Sequence, residues 1–291
     1  MIGRRPLRAR DQGARRDRRD TRPRDRTAPG VAEGPSASPL FLGLLSPATG
    51  GPRVVDLPSP NQDDRPAGVP VDTLVLHYTD MESGEAAIAR LRDPVARVSS
   101  HYVVEENGTV FRLVPEERRA FHAGVSGWRG HELLNGRSIG IEVVNPGHSC
   151  GYRPFPMLQM ASLCDLCLEI LARWPIPARN VVAHSDVSPD RKRDPGELFD
   201  WQGLAANGVG LWPEGVDGTG QDEVPDGGRR AAALLRAIGY PAGPELPVLL
   251  AAFQRHWRQE AVNGLADSGT LARLQAVAAL CGEAPDFPAR S

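Results

Sequence analysis

The stretch from Pro156 to Trp174 is the strongest single constraint on the fold. Leu163, Leu166, Cys167, Ile170, Leu171 and Trp174 recur at helical spacing, and Pro175 and Pro177 then stop the helix. Such a helix has to bury its apolar face against a broad partner. The flanking segments supply one. Arg137–Val144 and Asn180–His184 are short runs rich in Val and Ile and read as strands. Further strands are expected at Val71–His77, His101–Glu105 and Thr109–Val114. The last two meet at Asn107-Gly108, where both residues tolerate positive φ, a strong hairpin signal. Helices are expected over Ser83–Leu91 and, more briefly, Leu198–Ala206. Strands interleaved with helices in this way give an α/β class with a mixed central β-sheet flanked by helices.

The remaining chain divides by composition. Residues 1–27 hold eleven Arg, four Asp and almost nothing apolar. Such a segment buries too little surface to offset its chain entropy and is expected to be disordered. Residues 1–70 as a whole are rich in Pro, Gly, Arg and Asp without a period, so they read as tail and linker. Residues 71–213 form the expected main domain, and 214–227, rich in Gly, Asp and Pro, a second linker. Over 228–285 three helical patterns follow, at Gly228–Ile238, Pro247–Trp257 and Ser268–Leu280. Leu249, Ala252, Phe253 and His256 share one face of the second. A three-helix domain of about 60 residues is near the lower limit for independent stability.

The net charge of −2 argues for neither a nucleic-acid nor a membrane partner. The Arg-rich tail has no aromatic residue and is diluted by Asp, so it reads as a solvated tail and no nucleic-acid partner is expected. No run approaches the ~18 apolar residues of a membrane span. A monomer is expected. Four cysteines, at 150, 164, 167 and 281, are too sparse for a disulfide framework. Cys164 and Cys167 form a C-x-x-C, but they fall on the apolar stripe of the long helix and read as small buried hydrophobes.

Two of the seven histidines, His77 and His184, end expected strands, and strand ends on one edge of a sheet can converge. A catalytic zinc takes three protein ligands and keeps an open position. A carboxylate from the loop after His184 would complete the set, and Asp186, Asp190 and Asp194 are the candidates. Asp194 precedes Pro195 and Gly196, which biases its backbone towards one conformation. Glu142 lies among apolar strand residues, where a carboxylate needs a partner or a proton. Beside a metal it could take a proton from the attacking water. Lys192, two residues before Asp194, would project to the same side in an extended segment and could stabilise an oxyanion. His101 sits in the hairpin strand and reads as structural. His131 and His148 have no motif around them.

Five blocks then match one family in order: Val75-Leu-His-Tyr-Thr79, Ser99-Ser-His-Tyr-Val103, Phe121-His-Ala-Gly-Val-Ser-Gly-Trp128, Asn135-Gly-Arg-Ser-Ile-Gly-Ile-Glu142 through Asn145, and His184-Ser-Asp through Arg191-Lys-Arg-Asp-Pro-Gly196. Over roughly residues 70–212 the chain resembles the type-2 N-acetylmuramoyl-L-alanine amidases, relatives of T7 lysozyme and the peptidoglycan recognition proteins. The resemblance implies a Zn2+ site at His77, His184 and Asp194, with Glu142 as general base or acid and Lys192 stabilising the tetrahedral intermediate. It places His122 and Asn145 in the substrate cleft. It also implies a peptidoglycan or muropeptide substrate, cut between the lactyl group of N-acetylmuramic acid and L-alanine. The other class open to such a fold is a muropeptide-binding receptor without catalysis, but here every ligand position is filled. Gly239-Tyr240, Ala252-Phe-Gln-Arg-His-Trp257 and Gly264-Leu-Ala-Asp267 resemble a three-helix peptidoglycan-binding domain. The periplasmic branch of the family is typically lipid-anchored through a cysteine, and no cysteine precedes Cys150. The expected location is therefore the periplasm or cell envelope, with the cytoplasm as the alternative.

Overall fold

The computed structural model describes residues 52–283; the stretch expected to be disordered, 1–27, lies outside them. The order of elements is β1 (Val54–Asp56), β2 (Gln62–Asp64), β3 (Thr73–Tyr78), α1 (Gly84–Arg92), β4 (Tyr102–Val104), β5 (Val110–Arg112), β6 (Arg118–Ala120), β7 (Gly127–Trp128), β8 (His131–Glu132), β9 (Ser138–Val143), α2 (Gly147–Cys150), α3 (Met157–Arg173), β10 (Val181–Ala183), α4 (His184–Val187), α5 (Trp201–Ala206), α6 (Gly227–Ile238), α7 (Leu246–Trp257) and α8 (Ser268–Glu283). Six strands form the main sheet in the order β1-β5-β4-β9-β3-β10. Strands β4, β9, β3 and β10 run parallel to their neighbours, and β5 joins β4 antiparallel through the expected Asn107-Gly108 hairpin.

Strand β3 is buried at all six positions, as a central parallel strand covered on both faces should be. Alternation decides which core each residue enters. Leu74 and Leu76 join one core with Ile139, Ile141 and the α3 residues Leu163, Leu166, Cys167 and Ile170. Cys164 and Cys167 are free thiols buried in α3, in keeping with their reading as small hydrophobes. Val75 faces the other way, into a second core shared with Val182, Leu235, Leu250, Phe253 and Leu274.

The expected C-terminal three-helix unit is present: α6 packs on α8 and α7, and α7 also packs on α4. Its apolar residues are continuous with the core that reaches Val75 and Val182, so this unit of about 60 residues does not rely on its own interior alone. Part of the expected linker 214–227 is pinned as well. Arg258 is fully buried, its Nε and Nη2 donate to the carbonyls of Gly218 and Gly220, and its Nη1 pairs with Asp267. Gly269 N also bonds Gly220 O.

The described part of the expected N-terminal linker, residues 52–70, is corrected too. Strand β1 pairs parallel with β5, and β2 pairs antiparallel with β6. Asn61 is buried, and its Nδ2 donates to the carbonyls of Leu91, Asp93 and Val98, which ties the end of α1 to the chain that enters the sheet. Three-residue strands made of Gln62, Asp63 and Asp64 carry no hydrophobic period. They are held by pairing and by the Arg118–Asp64 and Arg119–Asp63 ion pairs instead.

If sheet and C-terminal helices share one core, they unfold together. Phe253→Ala, which empties a fully buried ring position between them, should cost about 3–5 kcal/mol. In denaturant titrations, fluorescence from Trp201 and Trp257, read in single-tryptophan variants, should give coincident midpoints. Separate transitions would show two independent units.

Candidate metal centre and catalytic cleft

The sheet register builds the centre. His77 pairs with Glu142 across β3 and β9, and Leu76 pairs with Ala183 across β3 and β10. His77, Glu142 and His184 therefore lie side by side at the C-terminal edge of parallel strands, where open α/β sheets place their sites. Asp194 is brought back by the loop after α4, whose end is tied by Ser185 N to Asp194 O at 3.0 Å. The Asp194–Pro195 peptide is cis. Gly196 has φ +85°, and a Cβ there would stand 2.3 Å from the Tyr152 hydroxyl, so only glycine fits that turn.

Three donor atoms converge. His77 Nδ1 and His184 Nδ1 are 2.9 Å apart, and Asp194 Oδ2 lies 3.0 Å from the first and 2.9 Å from the second. All three residues are buried, and among the described residues they are the one His/Cys/Asp/Glu group with metal-ligand spacing. The outer ring nitrogens show what the inner ones present. His184 Nε2 is 3.2 Å from the carbonyl of Ala123, so it carries the hydrogen and leaves Nδ1 as a lone pair. His77 Nε2 meets His122 Nδ1 at 3.1 Å, His122 Nε2 meets Ser138 Oγ at 3.1 Å, and that hydroxyl donates to Leu134 O at 2.7 Å. Read back from the carbonyl, each group accepts from the next: Ser138 Oγ from His122 Nε2, and His122 Nδ1 from His77 Nε2, so His77 Nδ1 is again a lone pair. Two lone pairs and a carboxylate oxygen at van der Waals distance or less repel unless a cation sits among them. The donor set fits a divalent metal bound by two imidazoles and one carboxylate, with outer-sphere partners already in place.

The electrostatics agree. Burial, then the neighbouring His184, pushes His77 down to about 4 against the pull of Asp194. Burial alone would raise Asp194; in the metal-free centre a proton shared with His184 and His77 would pull it well below the usual carboxylate range, and with both Nδ1 atoms as lone pairs that pull is left to a cation. Glu142 shifts the other way: burial first, then the charge of Asp194, raises it well above its ordinary value. Its Oε2 is buried and has no hydrogen-bond partner. An orphaned carboxylate oxygen one strand from the donor triad is placed to exchange a proton. The cleft over these groups has a volume of about 540 Å³, and Tyr78, Glu142, His148, Arg191, Lys192 and Asp194 are among its lining residues.

The structure thus brings together His77, His184, Asp194, Glu142 and Lys192. It gives the two expected substrate residues other work. His122 borders the cleft, but both its ring nitrogens are engaged in orienting His77. The ring lies across β9 because Gly140 has no Cβ; one there would stand 2.4 Å from it. Asn145 is fully buried, and its side-chain amide donates to Arg153 O and accepts from Gly147 N, which braces the loop before α2. Of the other two carboxylates weighed as ligands, Asp190 is exposed, and Asp186 points away from the centre. Buried Asp186 accepts from Ala183 N at 2.8 Å, from Tyr240 OH at 2.5 Å and from His256 Nδ1 at 2.6 Å, so α7 and the turn after α6 grip the segment that carries His184. Sequence reasoning also passed over Tyr78 and His148, whose hydroxyl and Nδ1 are 2.8 Å apart. The one available signal was the position of Tyr78, immediately after a candidate ligand at a strand end.

Comparison with known proteins follows the same geometry. Residues 67–197 match the family described as N-acetylmuramoyl-L-alanine amidase. The chain is 39% identical over 229 residues to N-acetylmuramoyl-L-alanine amidase AmiD of Escherichia coli (strain K12), which covers 71% of this chain and 82% of that protein. Among solved structures, the fold is similar to E. coli AmiD in complex with the substrate anhydro-N-acetylmuramic acid-L-Ala-D-gamma-Glu-L-Lys, with a TM-score of 0.66 and 36% identity over 74% of this chain and 91% of that one. It is also similar to AmpDH3 from Pseudomonas aeruginosa in complex with anhydromuramic pentapeptide, with a TM-score of 0.64 and 32% identity over 76% of this chain and 96% of that one.

Two outcomes follow from the geometry. His122→Phe keeps the ring volume but removes the acceptor for His77 Nε2, and should weaken metal binding about 10–100-fold in a chelator competition assay; unchanged affinity would remove His122 from this role. In the metal-free protein, Glu142→Gln should be stabilising at high pH. The unfolded chain loses the Glu142 proton near 4.5 while the folded chain holds it to higher pH, so stability is full below 4.5 and falls as pH rises towards the folded value. Melting scans should show the variant several degrees above the wild type at pH 8 and level with it near pH 4.

Proposed function

Because the chain belongs to the N-acetylmuramoyl-L-alanine amidase family, we propose that it uses a zinc ion to hydrolyse the amide between the lactyl group of N-acetylmuramic acid and the L-alanine of the stem peptide. The chain is a hydrolase of that linear amide, acting in peptidoglycan catabolism. Its relatives support anhydro-muropeptides as substrates, since both similar structures hold such ligands. The observation that carries the zinc reading is the convergence of His77 Nδ1, His184 Nδ1 and Asp194 Oδ2 within 3.0 Å of one another, beside an unpartnered Glu142 oxygen.

Those three atoms would hold the ion. Zinc bound there supplies a Lewis acid for the scissile carbonyl and lowers the pKa of water towards ~7. The rest belongs to the chain. Glu142 takes the proton of the attacking water and returns it to the departing nitrogen. Burial and Asp194 raise its carboxyl in the metal-free centre, and a cation beside it would pull it back towards the ionised form a base needs. Lys192 lines the same cleft and offsets the negative charge that grows on the carbonyl oxygen. The products are the lactyl carboxylate and a stem peptide with a free L-alanine amine, one water having been added across the bond. The second reading, a receptor without turnover, finds no support in a centre with all its proton-transfer and charge-stabilising groups in place.

Mass spectrometry after incubation with purified sacculi and with anhydro-muropeptides tests the reading. The expected products are free stem peptides, lost on chelation and restored by added zinc. Full activity in a verified metal-free sample would refute the zinc requirement. Lys192→Ala should lower kcat about 10²–10³-fold, the cost of losing one oxyanion-stabilising group.

A further inference from the structure

A second hydrogen-bonded chain reaches the cleft through Tyr78 and His148. Tyr78 ends β3 directly after His77 and lines the cleft with Glu142 and Lys192. Its hydroxyl lies 2.8 Å from His148 Nδ1, and the backbone N–H of His148 also donates towards the phenolic oxygen. His148 sits on the short α2 and stacks on Tyr152, with ring centroids 4.4 Å apart and planes 22° apart. Its other nitrogen, Nε2, is 3.1 Å from Glu197 Oε1. Glu197 follows Gly196 in the loop that carries Asp194, and its second oxygen lies 3.9 Å from Arg255 Nε of α7.

The polarity of this chain is fixed by its far end. A carboxylate accepts and cannot donate, so the hydrogen of a neutral His148 resides on Nε2, facing Glu197. Nδ1 is then a lone pair, and the Tyr78 hydroxyl must donate to it. With that proton committed and the His148 backbone N–H directed at the same oxygen, what the phenol has left for the cleft is a lone pair.

We propose that Tyr78, held in this state by His148 and Glu197, is an acceptor that selects and orients a backbone N–H of the stem peptide, with His148 and Glu197 as positioning residues. The proposal rests on the amidase reading. A sugar hydroxyl can turn to donate or accept and gains little from a fixed acceptor. A peptide N–H is an obligatory donor and is discriminated by one, while a carbonyl or carboxylate presented to the same oxygen is repelled.

The test has two parts. A long-range 1H–15N correlation spectrum of protein labelled at histidine, with the His148 signals assigned through His148→Gln, reads the tautomer directly and needs no turnover. A neutral ring with hydrogen on Nε2 is expected; hydrogen on Nδ1, or a doubly protonated ring at neutral pH, overturns the proposal. This arm decides the polarity even if the wild type cleaves no muropeptide, a result that would instead sink the amidase reading. In the second part, Tyr78→Phe and Glu197→Gln should each lower kcat/KM on an anhydro-muropeptide about tenfold, the worth of one neutral hydrogen bond. Zinc affinity and melting temperature should stay at wild-type values. The double variant should be no worse than Tyr78→Phe, because both changes remove one interaction. On substrates N-methylated at each stem-peptide nitrogen in turn, the Tyr78→Phe penalty should vanish for one member of the series. Additive losses, or a penalty that persists across the whole series, would refute the assignment.

Discussion

Everything at this centre depends on the parallel register of three strands. Pairing β3 with β9 and β10 puts His77 beside Glu142 and leaves His184 as the next residue beyond the β10 pair. A slip of one residue would turn His77 to the other face and break the donor triad. The register is specified by burial. Leu74 and Leu76 must enter one core and Val75 the other, so the apolar alternation that builds the sheet also aims the imidazoles. Fold and metal geometry are one constraint satisfied once.

Two hydrogen-bonded chains then set the state of the polar atoms. One runs from the carbonyl of Leu134 through Ser138 and His122 to His77 and exposes a lone pair to the metal position. The other runs from Glu197 through His148 to Tyr78. In each, a group that can only accept sits at the far end and fixes every tautomer before it. The cleft is therefore organised by atoms that do not touch its contents.

Much of this was legible in the sequence where apolar periodicity or turn chemistry carries the signal. The long helix, the strands that end in His77 and His184, and the Asn107-Gly108 hairpin follow from spacing. The strand at 62–64 was not legible, because Gln62, Asp63 and Asp64 have no apolar face and pair through backbone and arginines, and the one at 54–56 is three residues, too short to show a period. The ligand set needed the order of the five motif blocks, since spacing left Asp186, Asp190 and Asp194 open. His122 borders the cleft as expected, and the hydrogen bonds that the structure gives His122 and Asn145, to His77, Ser138, Arg153 and Gly147, were not legible. Sequence shows that a polar residue is near a site, while the direction of its hydrogen bonds is decided by Ser138, Arg153 and other partners distant in the chain. His148 had no motif around it, and its role depends on Glu197, 49 residues further on.

Asp186 carries a consequence for how such a chain can be inherited. Its carboxylate lies two residues from a metal ligand and is satisfied by Tyr240 and His256, from the far end of the described chain. A recombination event that joined the sheet to a foreign C-terminal segment would strand a buried charge next to the centre. Amidases that end before α6 must answer that carboxylate with another donor or replace it. In this chain any segment put in place of α6 and α7 would have to bring its own donors to Asp186.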